Sequence, residues 1–123
     1  MATGKGFTKW WAEDVSGEPP GRVTLGFFNR STIYVLSPKA VTPATRAVWL
    51  CESGHEWEGT ELRFELTPTP KGVMLHFLQA GWRDATEYFR MCNTTWGELM
   101  YRLKNDAEGH GAGPLFRRDA LAY

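Results

Sequence analysis

The feature that most constrains this chain is a change of period near residue 84. Upstream, apolar residues alternate in short runs cut by Gly, Pro and Ser clusters. From Asp84 to Glu108 they recur every three or four residues, with no proline and with Gly97 as the one weak helix former. Alternation places every second side chain on one face of a strand, and spacing of three and four places them on one stripe of a helix. The runs that alternate are Arg22–Phe28 (Val23, Leu25, Phe27), Arg46–Glu52 (Ala47, Trp49, Cys51), Glu61–Thr67 (Leu62, Phe64, Leu66) and Val73–Gln79, and Ile33–Leu36, rich in β-branched and aromatic residues, reads as the second strand in order. Pro38 and Pro43 mark the end of that second strand or an irregular edge.

The helical stripe runs Ala85, Tyr88, Phe89, Cys92, Trp96, Leu99, Met100, Leu103 and Ala107, and Gly109 is its expected stop. A shorter segment, Gly6–Asp14, carries Phe7, Trp10 and Trp11 at helical spacing before Ser16-Gly17-Glu18-Pro19-Pro20-Gly21 breaks it. About five hairpin-linked strands followed by one long helix define an α+β domain with a curved antiparallel sheet. One helix is roughly 10 Å across and cannot cover five strands at ~4.8 Å each. The remaining apolar face needs the Trp10-Trp11 segment, a ligand or a second copy of the chain.

The 123 residues suit a single domain over 1–113, with 114–123 as a tail carrying apolar character at Leu115, Phe116, Leu121 and Tyr123. Lys plus Arg and Asp plus Glu number 14 each. Zero formal charge argues against a nucleic-acid partner or an acidic membrane, and leaves little repulsion between copies. No apolar run approaches the ~20 residues of a membrane span, and the N-terminus has no secretion-signal pattern. Cys51 and Cys92 are too few for a disulfide framework and read as reduced, buried thiols of a cytoplasmic protein.

The chain carries, in order, Trp10-Trp11 before a Pro/Gly turn, Val48-Trp49, Glu56-Trp57-Glu58-Gly59-Thr60, Phe64-Glu65-Leu66, Leu75-His76-Phe77, Gly81-Trp82, Cys92-Asn93, Trp96 and Leu103-Lys104. These short patterns resemble the START-like (SRPBCC) proteins related to the activator of Hsp90 ATPase. Their order and spacing over Phe7 to Gly113 carry the resemblance. It implies a helix-grip fold, with the sheet wrapped around the C-terminal helix and a cavity between them. It also implies ligand holding or partner binding more often than catalysis, and in eukaryotic relatives a co-chaperone that contacts Hsp90. The family pattern has a first strand and short helices, about 20 residues, ahead of the tryptophan pair. Met1-Ala2-Thr3-Gly4 resembles the end of that stretch, so the first strand and part of the first helices are expected to be missing. An uncovered strand edge and apolar surface would follow, and with them a homodimer.

Within that fold the expected cavity lining is Trp11, Phe27, Trp49, Phe64, Gln79, Trp82, Phe89, Cys92 and Trp96; packing as ordinary core is the rival reading of the aromatic rings. Gln79 stands where many relatives have a histidine, which removes the most obvious acid–base group. No catalytic residue, cofactor motif or metal set stands out. His55 with Glu52, Glu56 and Glu58 lacks zinc spacing and reads as a solvated turn. His76 points away from the cavity, and Cys92 has no neighbour to lower its pKa. Gly4-Lys5-Gly6 is too short for a phosphate loop, and Arg117-Arg118 is a lone basic pair. The leading expectation is non-catalytic binding of a hydrophobic small molecule. A chaperone-partner role is second, and a cyclase- or hydratase-like enzyme using Gln79 and Tyr88 is third.

Overall fold

The computed structural model describes residues 2–43 and 45–117; Arg118, Leu121 and Tyr123 lie outside them. Six strands form one antiparallel meander in the order β1 (Asp14–Ser16), β2 (Val23–Phe27), β3 (Thr32–Thr42), β4 (Arg46–Ser53), β5 (Glu61–Thr69) and β6 (Gly72–Ala80). Helix α1 (Gly4–Trp10) precedes the sheet and α2 (Glu87–Ala107) follows it. The α+β class and the sheet-plus-helix architecture hold as expected.

The differences have local causes. The sheet has six strands where about five were expected. The extra one, Asp14–Ser16, is too short to show an alternation and is held by backbone pairing to β2 at Asp14↔Gly26, Val15↔Leu25 and Ser16↔Thr24. It also tucks the Asp14 carboxylate beneath Arg30 at 2.8 Å. That carboxylate occupies the space a side chain at Gly26 would need, since a Cβ there would lie 2.3 Å from Oδ2.

β3 runs through Pro38 to Thr42 instead of ending at Leu36. Its pairing with β2 stops at Val23↔Leu36, so Pro38 sits on an open edge where its missing N–H costs nothing, beside a bulge between Pro38 and Ala40. Helix α2 starts at Glu87, three residues later than expected. Thr86 caps it by accepting from Phe89 N–H at 3.2 Å, which leaves Ala85 exposed ahead of the helix. The far end stops as expected: Gly109 turns to φ +86° and its N–H donates to Asp106 O.

The core is aromatic. Helix α1 is capped by Thr3 and drives Phe7, Trp10 and Trp11 into the sheet, all at most 1% exposed. Phe7 meets Trp49 at 5.5 Å between ring centroids, Trp10 meets Phe64 at 6.3 Å, and Trp11 meets Trp96 of α2 at 5.0 Å. These spacings are those of favourable edge and offset ring pairs. Beyond Gly113 the chain returns to this corner. Leu115 and Phe116 donate their N–H groups to Trp10 O and Trp11 O, and Phe116 O accepts from Glu13 N–H at 2.8 Å. Among the described residues, no helix is long and apolar enough to cross a membrane.

Candidate functional site

Helix α2 crosses the concave face of the sheet, and Trp96 is central to how it is fastened there. Trp96, 5% exposed, lies 4.2 Å from Phe77 and 5.7 Å from Trp57 between ring centroids. Its indole N–H donates to Gln79 Oε1 at 2.8 Å. Gln79 Nε2 donates to Thr60 Oγ1 at 3.0 Å, and that hydroxyl donates to Trp57 O at 2.7 Å. All of these groups are buried, so each bond is protected from water. Gln79, expected above to line the cavity, is thus committed to fastening helix to sheet.

Trp96 also divides the concave face. On the β6 side a groove of about 1010 Å³ runs between β5–β6 and α2. Leu66, Leu75 and Phe77 form its floor and Phe89, Met100 and Leu103 its helix wall. Gly97 faces it with nothing within 4 Å of where a Cβ would stand, which keeps the wall low. On the other side a pocket of about 140 Å³ lies among Phe27, Tyr34, Trp57, Tyr88, Cys92 and Leu99.

The nine expected lining residues therefore separate. Gln79 and Phe89 line the groove; Trp11, Phe27 and Cys92 line the small pocket; Trp96 lines both. Trp49 and Phe64 sit in the closed core beneath α1. Trp82 borders a polar depression of about 270 Å³ with His55, Glu56, Glu58 and Asp84. There Thr86 donates to Glu56 at 2.5 Å and His55 stands edge-on to Tyr88. Among the described residues no group of three or more His, Cys, Asp or Glu could hold a metal ion.

Cys92 is half-buried, not buried as expected, because the small pocket opens beside it. The ionisable groups of that pocket are held neutral. Burial pushes Tyr88 up to about 12, and burial with the Tyr88 hydrogen bond pushes Tyr34 higher still. Burial also raises the Cys92 thiol, although Trp57 N–H donates to its sulfur at 3.4 Å. Each of these shifts moves away from neutrality. Lys39 and Arg63 hold the Glu61 carboxyl below its ordinary range, and Glu61 lines neither cavity. The lining of the two cavities is mostly apolar, with Asn93, Lys104 and Glu108 also bordering the groove.

Sequence reasoning missed the groove's outer parts. Val73, on the same face as Leu75 and Phe77, lines it, and Met74 and Leu78, whose side chains alternate to the other face of β6, border it at the strand edge; the three are 66%, 51% and 53% exposed. The available signal was that β6 is apolar on both faces, whereas a half-buried strand alternates.

A curved antiparallel sheet gripping a C-terminal helix defines the helix-grip class of α+β domain. The solution structure of the Aha1 dimer from Colwellia psychrerythraea has the same fold. It matches with a TM-score of 0.73 at 24% identity, over 86% of this chain and 81% of that one. This likeness establishes the fold. No family model and no curated protein matches the chain.

Proposed function

We propose that the protein holds an apolar small molecule in the groove between β5–β6 and α2, supplying shape and exclusion of water without breaking bonds. The observation that carries this reading is the groove itself. Its volume, about 1010 Å³, is at the upper end of the ~300–1,000 Å³ of small-molecule sites. Leu66, Leu75, Phe77, Phe89 and Met100 line it as apolar side chains that stay partly exposed, with Asn93, Lys104 and Glu108 also in the lining. Of the expected lining, Gln79, Phe89 and Trp96 border this groove.

The test is native mass spectrometry of the gently purified protein, paired with quenching of tryptophan fluorescence by an apolar probe such as 8-anilinonaphthalene sulfonate. Gly97→Phe fills the groove from an exposed helix position. It is expected to abolish probe binding while leaving the melting temperature within a few degrees. Equal probe binding by Gly97→Phe and the parent protein would overturn the reading.

A homodimer is a second proposal. Among the described residues β6 ends the sheet with an unpaired edge, and the structural neighbour from Colwellia psychrerythraea is itself described as a dimer. The co-chaperone reading is supported by the resemblance in the sequence and by the shared fold. Co-purification with an Hsp90 homologue tests it.

A further inference from the structure

We propose that the groove is one half of a shared chamber, completed when two copies join edge to edge through β6, with His76 at the two-fold axis. This rests on the reading of the groove as a binding site for what the chamber does, but not for the interface itself.

The direction of the unpaired groups follows from the ladder. Cys51 N–H donates to Thr60 O at 2.9 Å and Leu66 N–H donates to Thr45 O at 2.7 Å, at opposite ends of an unbroken β4–β5 register. Bonding alternates along an antiparallel strand, so even-numbered β5 residues bond to β4 and odd-numbered ones to β6. The register Glu61↔Ala80 through Thr69↔Gly72 then commits Gly72, Met74, His76, Leu78 and Ala80 to β5. Val73, Leu75, Phe77 and Gln79 direct their N–H and C=O groups outward, where among the described residues no strand meets them.

The pattern of β6 fits a second copy of itself. Antiparallel pairing about His76 places Val73 opposite Gln79 and Leu75 opposite Phe77, using all four outward residues for roughly eight hydrogen bonds. A shift of two residues either way loses about two of them. On the outer face the same register sets Met74 against Leu78 of the second copy, so the two exposed apolar residues of each strand cover one another. Long edges with such faces are the ones that natural sheets otherwise blunt with charge or proline.

Area decides what else must touch. A paired strip about 30 Å long and about 10 Å deep buries roughly 300 Å² a side, short of the ~800 Å² of a stable interface. The groove wall of α2, where Tyr101 is 71% exposed beside Met100, must supply part of the rest. A two-fold axis normal to the sheet keeps both concave faces on one side. The two grooves then open toward each other and close into one chamber, and each copy contributes a wall the other lacks.

Cysteine cross-linking reads the register. His76→Cys is expected to give a covalent dimer on mild oxidation. Met74→Cys and Leu78→Cys are not expected to do so singly, but the double variant is. Because these side chains are exposed, folding should be retained. Met74→Lys/Leu78→Lys sets like charges face to face and is expected to weaken the dimer at least tenfold by light scattering, and Met74→Lys/Leu78→Glu to recover it. A parent protein that is monomeric at micromolar concentration, or cross-linking without regard to position, would overturn the interface. A dimer with the expected cross-links that carries no apolar ligand or probe would leave the interface standing and remove the binding reading alone.

Discussion

The two edges of the sheet solve the same problem in opposite ways. The β1 edge is three residues long, and beside it the returning chain adds the Ala12↔Phe116 bridge. Phe116 packs there on Phe27 at 5.1 Å between ring centroids. The β6 edge is nine residues long, meets no further strand among the described residues, and is flanked by exposed Val73, Met74 and Leu78. Behind the first edge lie α1 and a closed aromatic core; behind the second lies the groove. Apolar surface is present on both sides, and what separates them is whether one of the described segments covers it. A sheet gripped by one helix is sealed only where a second element reaches, and function is to be sought where none does.

Substitutions can break this contrast. Trp11→Ala in the sealed half removes a 1%-exposed indole that touches Phe7, Phe27, Trp57 and Trp96. It is expected to cost about 3–5 kcal/mol in urea denaturation; a loss below about 1 kcal/mol would mean the core is not closed.

Alkaline pH acts on the same half. Burial holds Cys51 at about 12 against an ordinary 9.0, and Tyr88 at about 12 against 10.0. The unfolded chain therefore releases these protons first. Their contribution is whole below about pH 9 and is lost as pH rises toward 12, with a slope of at most about 1.4 kcal/mol per pH unit from Cys51. Melting temperatures recorded between pH 7 and 11 check this, and Cys51→Ala is expected to flatten the lower part of the window.

Phe116→Ala, at the half-buried seal, is expected to cost about 1–2 kcal/mol, a part of the full-burial value. On the open side the effects shrink and change sign. Gly97→Ala meets no neighbour and replaces the weakest helix former in α2, so it is expected to stabilise by about 0.5–1 kcal/mol. Leu78→Ala, measured dilute enough that copies are apart, is expected to stay within ~0.5 kcal/mol of the parent. A large loss there would show that the β6 face is covered within one chain.

Much of the architecture was legible because it is local. The alternation of Val23, Leu25 and Phe27 and of Leu62 and Phe64 reads directly as strand, and Leu99 and Leu103 of the helical stripe are buried as that stripe requires. Pro38 read as an irregular edge because proline cannot donate to a ladder, and it stands at one. Asp14–Ser16 was illegible because three residues carry no period. The division of the expected lining was illegible too: Trp49 and Trp96 look alike in a sequence, yet one faces α1 and the other stands between two cavities.

The sequence by itself determined the elements, their order and which faces are apolar, since these follow from side-chain period and turn chemistry within a few residues. Only the tertiary structure decided which apolar face is covered, because coverage depends on where α1, α2 and residues 115–116 arrive after the chain has turned through six strands. The groove and the unpaired β6 edge are what that arrangement leaves over.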